Sequence, residues 1–399
     1  MTKVVVVDAV RTPIGRYKGA LKDVRPDDLG AIVIKALIKR NPSVLPYLVD
    51  EVVLGNANGA GEENRNVGRM SSLLAGLPVT TTGTTINRLC GSGLDAISYG
   101  ARAILAGEGD IYIVGGTESM TRAPFVMEKP SNHFPRGHQQ LLDTTIGWRF
   151  INPQMDEMYG TDSMPETAEN VASEFGITRE AQDHFALLSQ QRAKSAMERR
   201  IFESEVISVS YQDKRGEWIV IKNDEHPRPQ TSLEKLASLP PIFEGGTVTA
   251  GNTSGINDGA SALLLMSEEK ALELGVQPLA EYVCSATAGV EPRVMGIGPV
   301  YSTRKVLERS GIPLEEIDVV ELNEAFAAQA LACIHELGLN PSIVNVNGGA
   351  IAFGHPLGAS GARIATTLLH EMKRRDSTYG LATMCIGVGQ GISMIFKRI

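Results

Sequence analysis

Four short segments of the chain carry side chains that could form and break bonds. In Asn87–Gly93 (NRLCGSG) a cysteine, Cys90, stands where a loop turns into a helix. The glycines after it let backbone N–H groups approach a ligand closely. A thiolate there would be a nucleophile. An unperturbed thiol, however, has a pKa of ~8.5, and a helix N-terminus contributes only ~0.3–1 kcal/mol. That is less than the ~1.4 kcal/mol of one pKa unit. The dipole alone leaves such a thiol mostly protonated at neutral pH, so a base must stand near it. A lone cysteine beside a helix is otherwise a small buried hydrophobe, and only its companions separate the two roles.

The second segment, Asn347–Arg363 (NGGAIAFGHPLGASGAR), offers that base. His355 is fixed between Gly354 and Pro356 in a turn dense in small residues, immediately before a helix, whereas structural histidines usually sit inside ordinary helices or strands. The third, Met384–Gly391 (MCIGVGQG), looks superficially like a dinucleotide fingerprint, but too little chain follows for the helix and acidic strand end that fingerprint requires. Its glycines more plausibly expose Cys385 and a backbone N–H such as that of Gly387. The fourth, Asn323–Phe326 (NEAF), lies where a strand meets a helix, and Asn323 reads equally well as a helix cap or as a catalytic amide.

These segments need a scaffold. Val4–Val7 and Val52–Leu54 read as buried strands with a helical pattern around Leu29–Ile38 between them. Leu94, Ile97, Ala101, Ile104 and Leu105 recur at helical spacing, and Ile111–Val114 follows as another strand, which predicts an α/β layer architecture. The second half replays the first. Asn56 precedes Cys90 by 34 residues and Asn323 precedes His355 by 32; Ser92-Gly93 and Ser360-Gly361 each open a helix, and Gly-rich strand ends follow at Gly115-Gly116 and Cys385–Gly387. An internal duplication accounts for this. Between the halves, over residues 122–246, the valine-rich strands give way to Pro124, Pro130, His133, Pro135, Trp148 and Pro153, with one clear helix over Thr178–Arg199 capped by Thr178. An insertion of that kind on a rigid scaffold is a natural place to hold a substrate.

Composition narrows the partners. The net charge of −8 and the lack of a long basic cluster argue against nucleic acid; Lys373-Arg374-Arg375 reads as the solvated end of a helix. No run approaches the ~20 apolar residues of a membrane span. The four cysteines show neither CxxC nor metal-ligand spacing, so no metal is expected, and a reducing cytoplasm is the default location.

Taken together, the four segments, in this order and spacing, resemble the thiolase family over essentially the whole chain. GGTESM (Gly115–Met120) and TVTAGNTSGINDGA (Thr247–Ala260) are similar to further thiolase segments. The resemblance implies two duplicated α/β halves in a five-layer αβαβα core. Residues 1–121 with 247–270 would form the first half, 271–399 the second, and 122–246 a loop domain over the coenzyme A site. It implies that Cys90 carries the acyl group, that His355 deprotonates it, and that Cys385 moves the proton at the α-carbon. Asn323 would hold a water in one oxyanion site with His355, and the N–H groups of Cys90 and Gly387 would form the other. Ser254, Arg228, Phe243 and Phe326 would line the coenzyme A path. Coenzyme A and acyl-CoA would be substrates, with no permanently bound cofactor, in a homodimer or homotetramer.

Short-chain biosynthetic members usually carry a His-Met pair where this chain has Ser163-Met164. Gly61–Met70 and Asp143–Pro153 look most like degradative thiolases acting on 3-oxoadipyl-CoA and related compounds. The reading is therefore a degradative 3-oxoacyl-CoA thiolase, with an acetoacetyl-CoA thiolase as alternative; Arg149 or Arg136 is a candidate to meet a terminal carboxylate. A ketoacyl synthase would have histidine in place of Cys385. A non-catalytic lipid carrier on this fold should lack one of the chemical residues.

Overall fold

The computed structural model describes residues 2–134 and 136–399, so Met1 and Pro135 lie outside the described residues. Its first strand is β1 (Val4–Arg11), every residue of which is buried. Side chains of successive strand residues point to opposite faces. Val4 and Val6 enter one core while Val5 and Val7 enter another. A register shift between Val6 and Asp8 then reverses the phase, so that Ala9 joins Val6 and Val10 joins Val5. A strand buried on both faces belongs between layers.

Eight longer strands join it: β2 (Glu51–Gly55), β3 (Thr82–Ile86), β4 (Ile111–Ser119), β5 (Asn257–Ser267), β6 (Ala280–Gly289), β7 (Val319–Leu322), β8 (Tyr379–Ile386) and β9 (Gln390–Arg398), and the two residues Gly15–Arg16 pair with β5 as a tenth. Their spatial order is β3-β2-β4-β5-β1-β6-β9-β8-β7. Outward from the β1–β6 seam the two halves match strand for strand, with antiparallel pairs near the seam and parallel pairs at the far end. Even β3 has a reduced counterpart, a parallel bridge from Val344 to Val320. The duplication visible in the motifs is thus a duplication of topology.

Helices fill the remaining layers. α1 (Pro26–Arg40) opens on a proline, carries Asp27 and Asp28 in its first turn and Lys39 and Arg40 in its last, which suits the helix dipole. It packs outside the first half-sheet with Val5, Leu54 and Leu264. α2 (Ser92–Ala106) presents Leu94, Ile97 and Ile104 to the central core and ends on Gly107 in the left-handed region, φ 77°.

Farther along the chain, α3 (Met164–Glu174) and α4 (Arg179–Glu198) occupy the intervening segment. Thr178 caps α4 by accepting from the N–H of Ala181 at 3.2 Å. α5 (Gly298–Ser310) and α6 (Ala327–Leu337) cover the second half-sheet. The last helix, α7 (Leu357–Arg375), is buried continuously from Gly358 to Met372 and shares the central core with α2. Its last turn carries the exposed Lys373–Arg375. The result is five layers: α1, a half-sheet, α2 with α7, a half-sheet, and α5 with α6. The segment 122–246 does more than hang from this scaffold. Val171 of α3 sits in the outer core of the second half, and Val209 in that of the first.

Candidate active site

Cys90 is set by a stapled turn. Leu89 takes φ 47°, a left-handed conformation that is unfavourable for a branched side chain. The turn is held because Asn87 Oδ1 accepts from the Leu89 N–H at 2.9 Å, Asn87 Nδ2 donates to Ala57 O at 2.8 Å, and Ser92 Oγ donates to Leu89 O at 2.6 Å. Gly91 lies so close to the opposite half that a methyl there would stand 2.5 Å from Ile386 Cδ1. Cys90 is partly buried, and burial pushes its thiol up to about 11, against the backbone N–H groups of Gly387 and of Cys90 itself, which pull it down.

The MCIGVGQG run is the hairpin between β8 and β9, closed by Ile386 opposite Gln390, with Val388 and Gly389 at φ 63° and 81°. No dinucleotide loop forms. Cys385, next to last in β8, is buried in a cluster with Met295, Ala325 and Phe326. Burial raises its thiol well above the ordinary range, and the neighbouring Cys90 adds to the rise. Cys90 lines a cavity whose wall also includes Gly387, two residues after the buried Cys385.

His355 follows Gly354, whose φ of 101° no other residue adopts readily. Asn257 Oδ1 accepts the His355 backbone N–H at 3.0 Å, and Ser360 Oγ lies 2.6 Å from Nδ1. The Ser360 hydroxyl also bonds Pro356 O, at 2.9 Å, which can only accept. A hydroxyl has one proton. With that proton on Pro356 O, Nδ1 donates to Ser360 and Nε2 carries the free lone pair; with it on Nδ1, Nδ1 accepts, as the facing Asn323 Nδ2 would also ask. Nε2 is buried without a partner. Burial, followed by the nearby Arg363 charge, depresses the imidazole to about 3, so it is a neutral base. Among the described residues no hydrogen bond joins His355 to Cys90.

Asn323 closes the group. It is fully buried, its backbone N–H bonds Thr383 O at 3.0 Å, and Nδ2 stands 3.5 Å from His355 Nδ1. It is not the cap of α6, where that position belongs to Phe326. Its Oδ1 is another buried atom without a partner.

Two cavities serve this region. One, of about 270 Å³, is lined by Cys90, Gly387, Met164, Glu118, Trp148 and Arg149, among others. The other, of about 690 Å³, is lined by Ser254, Arg228, Arg16, His226 and Lys235, among others. Phe326 is buried in a cluster with Cys385, Met295 and Ala325, and Phe243 lies at the surface; neither lines these two cavities. Arg136 is exposed and lines neither. Among the described residues no group of three His, Cys, Asp or Glu could hold a metal ion, and no helix is long and apolar enough to cross a membrane.

Three positioning residues escaped the sequence reading although their segments were noted: Ser360, Asn257 and Glu118. Glu118 accepts from the N–H groups of Ala57 at 2.7 Å, Asn58 at 3.3 Å and Gly358 at 2.8 Å, tying the first half to the start of α7. Burial pushes it up to about 7 despite these donors. The signal for it was GGTESM, where an acid ends a strand that is otherwise fully apolar or small.

The comparisons agree with this architecture. The thiolase N-terminal domain matches residues 4–269 and the thiolase C-terminal domain residues 276–398. The 3-oxoadipyl-CoA/3-oxo-5,6-dehydrosuberyl-CoA thiolase of Escherichia coli is 57% identical, with 100% of each chain covered. The beta-ketoadipyl-CoA thiolase of Acinetobacter baylyi is 56% identical, with 99% of each covered. Among solved structures, the acetyl-CoA acetyltransferase of Bacillus anthracis superposes with a TM-score of 0.94 at 42% identity, covering 100% of this chain and 99% of that one. With a duplicated five-layer fold and both family domains end to end, this chain belongs to the thiolase family of acyltransferases.

Proposed function

We propose that the protein is a 3-oxoacyl-CoA thiolase of the degradative kind, cleaving 3-oxoadipyl-CoA or a close relative with free coenzyme A. The observation that carries this reading is the pair of thiols: Cys90 lines a cavity, and Cys385 is buried on the strand that runs to Gly387 on the wall of that same cavity. Carbon–carbon cleavage beside a thioester needs one sulfur to be acylated while a second group moves the proton.

In thiolysis Cys90 Sγ attacks the C3 ketone and its proton passes to His355 Nε2. The C2–C3 bond breaks, and the departing enolate takes a proton from Cys385 to leave as acetyl-CoA. Coenzyme A then enters, returns a proton to Cys385, and its sulfur attacks the acyl group. Cys90 leaves and recovers its proton from His355. Thioester is exchanged for thioester. The N–H groups of Cys90 and Gly387 stabilise one developing oxyanion, and His355 with an Asn323-bound water the other. A neutral thiol and a neutral imidazole fit this order, since the imidazolium forms only as Cys90 attacks the ketone.

The larger cavity, with Arg16, Arg228 and Lys235 on its wall, suits the phosphates of coenzyme A, and Ser254 its pantetheine arm. Met164 borders the acyl cavity. On this reading residues 122–246 form a loop domain over the substrate, between halves made of 1–121 with 247–270 and of 271–399. The enzyme works in the cytoplasm as a homodimer or homotetramer.

Likeness to an acetyl-CoA acetyltransferase supports acetoacetyl-CoA as a second substrate. The test is a panel of 3-oxoacyl-CoA compounds assayed with free coenzyme A, together with transfer of radiolabelled acetyl to the protein. Wild-type protein should cleave the panel and take up label, and Cys90→Ser should take up none while remaining folded. Undiminished labelling of Cys90→Ser would place the nucleophile elsewhere.

A further inference from the structure

The acyl cavity contains a charge that a simple 3-oxoacyl chain does not need. Of the described side chains that line this cavity, only Arg149 is cationic, and it stands on the wall with Trp148, Ile146 and Thr145. It is partly buried. Among the described residues it has no carboxylate partner, and its one hydrogen bond is from Nη1 to Asn58 Oδ1, at 3.0 Å. That bond fixes its aim, because Asn58 is itself held by Thr144, donating from Nδ2 to the Thr144 carbonyl at 3.2 Å and to its hydroxyl at 3.0 Å. A guanidinium has five N–H donors in a rigid fork that matches a carboxylate. One tooth is used to orient it, and the other four N–H groups have no partner among the described residues; Arg149 also borders a second, more open cavity with Glu128.

The other charge in the cavity does not cancel it. Glu118 turns both carboxylate oxygens into the wall, toward the N–H groups of Ala57, Asn58 and Gly358 and the amide of Asn56. An apolar chain ending here would leave the guanidinium desolvated with nothing to meet. A chain ending in a carboxylate would gain a charge-assisted pair in a confined space.

We propose that Arg149 reads the terminal carboxylate of a dicarboxylic acyl chain and is the specificity-determining residue of the acyl cavity. This rests on the thiolase reading above and names the feature that selects its substrate. During thiolysis the carboxylate would be held while Cys90 carries the acyl remainder, a succinyl group for a six-carbon substrate. Asn58 is the positioning residue for the guanidinium.

The experiment compares 3-oxoadipyl-CoA with 3-oxohexanoyl-CoA, which has the same chain length but no terminal carboxylate. In the wild type kcat/KM favours the dicarboxylic substrate. In Arg149→Met that preference falls about 10- to 100-fold, since a site built around a polar partner discriminates strongly against its loss. Arg149→Lys keeps part of it, because a lysine retains the charge but not the fork. A second measurement needs no variant: wild-type Cys90 should be acylated faster by succinyl-CoA than by butyryl-CoA at equal concentration. Equal losses on both substrates, or an unchanged preference together with equal acylation by the two thioesters, would overturn the assignment while leaving the thiolase reading intact. Failure of the wild type to cleave any 3-oxoacyl-CoA would remove both.

Discussion

His355 Nδ1 lies 2.6 Å from Ser360 Oγ, and that hydroxyl also bonds Pro356 O at 2.9 Å. This contact couples the imidazole tautomer to Ser360, and with Nδ1 donating it leaves the unpartnered Nε2 as the base. Ser360→Ala removes the acceptor that holds the proton on Nδ1. Thiolysis kcat and the rate at which iodoacetamide alkylates Cys90 should both fall about 10- to 100-fold, the usual cost of losing such an outer partner. KM for coenzyme A should move little, and Ser360→Thr should restore much of the loss. Full activity in the alanine variant would mean that the tautomer is set by another group.

Acid should weaken the fold partly through the same histidine. Its pKa falls from the ordinary 6.5 to about 3 on folding. The unfolded chain thus binds the extra proton between those values, and stability decreases as pH drops through that window. At pH above 6.5 the contribution is complete. The slope from one such group is at most about 1.4 kcal/mol per pH unit. Urea titrations at pH 7 and pH 5 should show a smaller difference for His355→Gln than for the wild type; identical differences would count against a neutral buried imidazole.

Cys385→Ala should separate the two halves of the reaction. Labelled acetyl should still pass from acetyl-CoA to Cys90, while condensation of two acetyl-CoA molecules should drop by about 10²-fold or more, as loss of a positioned proton carrier does. Condensation at the wild-type rate would assign the proton transfer to another group.

Glu118→Gln should loosen the joint between the first half and α7. The two carboxylate oxygens accept from Ala57, Asn58, Gly358 and the Asn56 amide. A glutamine must aim its NH₂ at some of these donors, leaving buried groups unpaired at a cost of ~1–3 kcal/mol. Chemical denaturation should show that loss, and kcat should fall with it. Unchanged stability would indicate that the carboxyl is already protonated and shares its donors differently.

Much of this architecture was legible in the chain because duplication repeats its punctuation. The strand ends at Asn56 and Asn323, and the Ser-Gly pairs at 92–93 and 360–361, mark the same places in each half. Cys90, His355, Cys385 and Asn323 stood out because glycine-rich turns surround functional groups that would otherwise be packed in regular elements. What stayed hidden depends on contacts distant in the chain. Ser360 reads as an ordinary helix-opening residue until its hydroxyl is seen beside His355. Asn257 lies within a motif that was noted, but its bond to the His355 N–H spans 98 positions. Phe326, with its aromatic ring, is buried in one cluster with Cys385, a placement that only the fold reveals. The choice between Arg149 and Arg136 was likewise closed to the sequence, since only the folded loop decides which of them reaches the cavity.

Where α2 and α7 cross, the chains touch without side chains between them. A methyl added at Gly93 would stand 2.6 Å from the amide nitrogen of Ala362, and one at Gly361 would collide with that of Leu94. The nucleophile's helix and the base's helix are therefore locked backbone to backbone, each half supplying the bare residue the other requires. Ancestral copies that once matched can drift freely on their outer faces, but at this crossing they must change as partners, so grafting one half from a distant relative should misalign sulfur and imidazole even where every chemical group is retained.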